Sequence, residues 1–128
     1  MRANNDIETA LYNKLTEDNY SASAHALPAD LGGVFPHIHV ERTGGTTSDF
    51  IIESHSVDFD VYGADQADAT EAAADLCAWV RNLGGQVVGT ICYSADVSTL
   101  PYNNPDPRHP NIARATFKAQ ILTRTRGD

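Results

Sequence analysis

The sequence is short of the residues that staple small proteins together, and short of positive charge. Its 128 residues include two cysteines, one methionine and one tryptophan, and nine Lys and Arg stand against seventeen Asp and Glu, a net charge of −8. Cys77 and Cys92 lack metal-ligand spacing and lie inside apolar stretches. They read as buried free thiols, and no disulfide framework is expected. The shortage of cations argues against a dedicated nucleic-acid binder, which needs a basic footprint to displace counterions. It argues equally against an anionic membrane surface as partner. No apolar run approaches the ~20 residues that span a bilayer. No apolar stretch follows residues 1–6, so no secretory signal is expected. Also missing are G-x-S-x-G, a P-loop and a dinucleotide-binding glycine pattern. The Gly pairs at 32–33, 44–45 and 84–85 mark turns.

What is present is globular: 41% hydrophobic and 20% charged residues. The length suits a single domain, 1–128, with one core. Ile7, Ala10, Leu11 and Leu15 predict a helix over 6–18 with Asp6 as N-cap. Residues 20–27 alternate loosely as a strand, and 34–42 more clearly, with Ile38 and Val40 opposite His37, His39 and Glu41. Residues 43–47 read as a flexible hairpin loop. The clearest strand runs over 50–62, Val57, Phe59 and Val61 facing one way and Ser56, Asp58, Asp60 and Tyr62 the other. A long helix follows over 65–83, capped by Asp65, with an apolar stripe of Ala69, Ala72, Ala73, Leu76, Val80 and Leu83. Residues 87–97 form another strand. Four of the six prolines fall in 98–111, which reads as a long Pro-rich loop. Residues 113–125 alternate as a half-buried strand. The order predicts an α+β fold: a mostly antiparallel sheet of about four to five strands, with an N-terminal helix and a longer central helix packed on it. The 50–62 and 113–125 strands are expected at its centre.

Chemistry-bearing residues are few. His37 and His39 share a strand face, and with Asp58 or Asp60 on a neighbouring strand they could hold a metal. They also read simply as polar residues of a solvated strand face. Asp58 and Asp60 are a same-face carboxylate pair, suited to acid–base work or to a solvated acidic stripe. Cys77 has no base beside it and does not read as a nucleophile. Trp79 lies off the apolar stripe, either finishing the core or marking a partner surface. The Pro-rich loop carries Tyr102, Asn103, Asn104, Asp106, Arg108 and His109, either a solvated connector or a segment that orders against a partner. Arg114, Lys118 and Arg124 lie on one face of the last strand, placed to meet acidic positions such as Asp58 or Asp60 of a neighbouring copy.

Four segments in order carry a resemblance that covers about residues 5–126: DIETALYNKLTED; ALPADLGGVFPHIHVERTGG; DFDVYGADQADATEAAADLCAWVRNL; and LPYNNPDPRHPNIARATFKAQILTR. In sequence and spacing they resemble tail terminator proteins of long, non-contractile-tailed bacteriophages, also called minor tail or head–tail joining proteins. The resemblance implies a virion structural protein and no catalysis, no cofactor and no metal. Such proteins form a ring, hexameric in that family, on the last ring of tail-tube protein. They stop tube polymerisation and offer the surface that joins the filled head and its connector. DNA passes through the lumen without specific binding. The chain is then expected at the head-proximal end of the tail, after assembly in the host cytoplasm. An acidic lumen that resists sticking to DNA suits the −8 charge, with Asp58 and Asp60 as candidates for the acidic face and the Pro-rich loop for reaching the tube or connector. The alternatives are a head–tail connector (stopper or adaptor) or tail completion protein, and, in another class, a small metal-dependent enzyme using His37, His39, Asp58 and Asp60.

Overall fold

The computed structural model describes residues 4–48 and 51–126. Phe50, with which the predicted third strand begins, lies outside them. The chain runs α1 (Ile7–Glu17), β1 (Ser21–Ala24), β2 (His37–Ser48), β3 (Ile52–Gly63), α2 (Gln66–Arg81), β4 (Val87–Val88), β5 (Thr90–Asn103) and β6 (Ala113–Arg124). The strands order as β1-β2-β3-β6-β5-β4 in one sheet. All neighbours are antiparallel except β1 and β2. The fold is α+β as expected. Four long strands form the body, and the short β1 and two-residue β4 bring the total to six. The predicted central pair, β3 and β6, is central.

Both helices begin where an aspartate can satisfy free N–H groups. The Asp6 carboxylate accepts from the Thr9 backbone N–H at 3.2 Å, and that of Asp65 from Asp68 at 2.8 Å. The helices cover the sheet face made by Val57, Phe59 and Val61 of β3 and Ala115, Phe117, Ala119 and Ile121 of β6, all buried. Phe59 and Phe117 are cross-strand partners, stacked with centroids 4.9 Å apart. The alanines of α2 allow close approach. At Gly63 the approach is closest: a Cβ there would lie 2.8 Å from the Ala69 backbone nitrogen.

Several expectations change. Residues 43–47 are strand, not loop: β2 continues to Ser48 after a register shift between Arg42 and Gly44. The predicted 87–97 strand is a hairpin, folded at Gly89, whose φ is +75°. The 98–111 loop is half strand. β5 reaches Asn103 and carries Pro101 through a register shift between Thr99 and Tyr102. Beyond Ile91 the far side of β5 has no strand partner among the described residues, so a residue without an N–H costs no ladder bond there. The true loop is 104–112. Trp79 does finish the core margin. Half-buried, its indole N–H donates to Asp18 Oδ2 at 2.7 Å, and Tyr20 meets its ring edge-on. Cys77 and Cys92 are buried free thiols, their pKa values raised by burial.

Candidate functional site

The sheet face turned away from the helices gathers most of the singled-out residues. Strand alternation puts His37, His39 and Glu41 of β2, Asp58, Asp60 and Tyr62 of β3, and Arg114, Thr116 and Lys118 of β6 on that face. Register then pairs them: His37 with Tyr62, His39 with Asp60, Asp58 with Lys118, Asp60 with Thr116, and Tyr62 with Arg114.

One end of this face is closed by the 104–112 loop. Its anchor is Asp106, 2% exposed. The Asp106 carboxylate accepts from the Tyr62 hydroxyl at 3.1 Å and from the Arg108 backbone N–H at 3.0 Å, and it pairs with the Arg108 and His109 side chains at 3.2 and 3.3 Å. Arg114 Nη1 stands 3.6 Å away, while its Nε–H donates to the Asn104 carbonyl at 2.6 Å. Burial alone would raise the Asp106 pKa. The hydrogen bonds from Arg108, His109 and Tyr62 outweigh it and hold the carboxyl far below the usual carboxylate range. The sequence places Tyr62 on this strand face and Asp106 in the Pro-rich loop, but nothing in it marks the two as partners.

The histidine pair does come together, but around hydroxyls. Ser23 Oγ lies 2.9 Å from His37 Nε2 and 2.8 Å from His39 Nδ1, and Ser21 Oγ lies 2.8 Å from His37 Nδ1. Burial lowers the pKa of both imidazoles, so both are neutral at pH 7. Both ring nitrogens of His37 are thus occupied by serines. Among the described residues no group of three His, Cys, Asp or Glu side chains is arranged to hold a metal ion.

The two aspartates part company. Asp58 takes Lys118 Nζ at 3.0 Å within its own chain. Asp60 is 9% exposed, accepts from Thr116 Oγ1 at 2.7 Å and lies 3.9 Å from Arg114. The cations expected to reach a neighbour's aspartates therefore already neutralise those of their own chain, and Asp60 is too covered to form an acidic surface. Arg124 stands at the other end of β6, opposite Ile52, away from this cluster. Tyr102 and Asn103 sit on β5, not in the loop.

No family model and no curated protein matches this chain.

A second polar cluster, on the helix side, was not foreseen. Arg42 Nε–H donates to His55 Nδ1 at 3.1 Å, and His55 Nε2 lies 3.3 Å from both Glu53 Oε1 and Thr123 Oγ1. The Asn5 backbone N–H donates to the same Glu53 oxygen at 3.0 Å, and its side-chain amide to the Val88 carbonyl at 2.9 Å. His55 is 1% and Glu53 4% exposed. Burial pushes the His55 pKa down, which leaves Nε2–H as the donor toward Glu53 and Thr123. This cluster joins the start of the chain to β3, β4 and β6. Among the described residues no buried side-chain N or O lacks a partner. Such arrangements hold segments in place, while His39 and Glu41 of the polar face line a recess of about 770 Å³ together with Glu8, His25, Arg108 and His109.

Proposed function

We propose that this chain is a virion structural protein that caps the tail tube as a ring, stops its polymerisation and presents the surface for head–tail joining. The support is the sequence resemblance together with the character of the polar sheet face. The observation that carries the reading is that the cations in the middle of this face are cancelled where they stand. Lys118 lies on Asp58, and Arg114 lies between Asp60 and Asp106. A chain of net charge −8 thus has, among the described residues, no unpaired cation at the centre of this sheet face. DNA sliding past such a surface meets neither counterion release nor base-reading donors. Asp58, Asp60, Arg114 and Lys118 are each engaged within the chain, which suits a structural part.

The test is the tail-length distribution by electron microscopy in a lysate from which this chain is absent. Overlong, headless tubes are expected. Normal tails beside unjoined heads would replace the terminator role with a connector or completion role. Intact infectious particles would overturn the virion reading.

A further inference from the structure

A ring of identical subunits needs two unlike, complementary patches on each copy. The exposed large apolar side chains supply them, because they sort to opposite ends of the sheet. At the β4–β5 end stand Val87, Ile91, Tyr93, Leu100 and Tyr102, with Leu100 the most exposed at 67%. At the β1 end stand Tyr12 of α1 and Val34 and Phe35 of the segment entering β2. Apart from Ile51 at the β2–β3 turn, the faces between these ends carry none among the described residues.

The two ends differ in shape. At the β1 end a recess of about 450 Å³ opens between α1 and β1, walled by Tyr12, Ala22, Ala24 and Pro28 and by polar side chains, Asn13 and His25 among them. A cavity of about 150 Å³ already admits a benzene ring, so this one has room for a leucine and a tyrosine together. At the other end, the open edge of β5 is broken by register shifts at 92–94, 97–99 and 99–102 and by Pro101. Such an edge resists the addition of a further strand. It offers protruding side chains instead, Leu100 and Tyr102 foremost.

The charges choose the partner. Residues 97–105 hold no Asp, Glu, Lys or Arg, and neither does the lining of the recess. Two copies at −8 each repel over most of their surfaces. At these two patches they approach without setting carboxylate against carboxylate: the recess holds His25, 4.0 Å from Glu8, and Lys118 stands beside Thr99 of the β5 edge. We infer that the β5 edge around Leu100 and Tyr102 of one copy seats in the α1–β1 recess of the next. The inference rests on the ring reading above and names its contact. Each copy gives one edge and receives another, so the contact is head-to-tail and closes by rotation.

The test uses the full chain and two variants, Leu100→Asp and Tyr12→Asp. Both sites are exposed in the single chain, and circular dichroism with a thermal melt checks that each variant folds. Native mass spectrometry and sedimentation then follow association over a concentration series. The wild-type chain is expected to form a closed oligomer. Each variant alone is expected to fall to monomer, its dissociation constant raised about a hundredfold by loss of an apolar anchor. Mixed, the variants pair one intact edge with one intact recess and should stop at a dimer. A wild-type chain that stays monomeric up to about millimolar concentration, or variants that assemble like the wild type, would overturn this contact. That failure leaves the capping role to the tail-length measurement. Conversely, the expected assembly with normal tails in the chain's absence would overturn the capping role and leave the contact standing.

Discussion

Replacing Asp106 by alanine should loosen the 104–112 loop and destabilise the whole domain. The carboxylate is 2% exposed and gathers the Tyr62 hydroxyl, the Arg108 backbone, His109 and, at 3.6 Å, Arg114. Its removal leaves the buried Tyr62 hydroxyl without its acceptor and takes from Arg114, whose side chain is 13% exposed, the nearer of its two carboxylates. Breaking a buried pair from one side costs about 3–5 kcal/mol. Here Arg114 keeps the Asn104 and Pro105 carbonyls and stands 3.9 Å from Asp60. The loss should therefore be smaller, about 2–3 kcal/mol. At this chain length that is a fall in Tm of about 8–12 °C. Urea and thermal melts followed by circular dichroism measure it. Arg108→Ala is the control: its side chain is 73% exposed, so its loss should barely move the midpoint. The pH dependence has a definite sign. The Asp106 pKa is depressed below its ordinary 3.8, so its contribution is complete above that value and fades as pH falls below it. Asp106→Asn should flatten this acid limb. An Asp106→Ala loss under about 0.5 kcal/mol, or one no larger than the Arg108→Ala loss, would refute the claim that Asp106 closes the loop.

Other consequences are open to measurement. Burial lowers the pKa of His37, His39 and His55, so the unfolded chain takes up protons first as pH falls through about 6.5. Stability should be full above that pH and decline below it; a urea midpoint unchanged from about pH 8 to pH 5 would contradict this. Trp79→Phe removes the 2.7 Å bond to Asp18 at the join of the two helices and should cost about 1 kcal/mol in urea titration. Gly63→Ala drives a methyl into the Ala69 backbone at 2.8 Å, with an expected loss of about 1–3 kcal/mol. An unchanged melting temperature would mean that α2 can retreat from β3 freely.

Legibility in the sequence followed the range of the interactions. The helix caps at Asp6 and Asp65 and the alternation of β3 and β6 depend on neighbours within a turn or along one strand, and these were readable. The Thr43–Thr47 stretch was misread because a Gly-rich run looks like a turn; here Gly45 lies against Ser54 and Arg42, where a side chain would collide. Val87 to Val97 looks continuous because five of its residues are valine, isoleucine or cysteine, which hides the fold-back at Gly89. Pro101 suggested a loop because local rules do not say which strand will stand at an open edge. The candidate site was the least legible. Tyr62 and Asp106 lie 44 positions apart, and the Asn5 bond to Thr123 spans 118. The pairing of Asp58 with Lys118 in one chain, rather than between copies, needed the β3–β6 register.

The central claim is that this chain ends tube growth, and the most direct measurement adds purified chain to polymerising tube protein of the same virion. Tube lengths are followed by electron microscopy. Growth is expected to halt on addition, with far fewer copies of the chain than of tube protein and a ring at one tube end. Tubes that go on lengthening at the same rate with a saturating amount of folded chain would contradict the account.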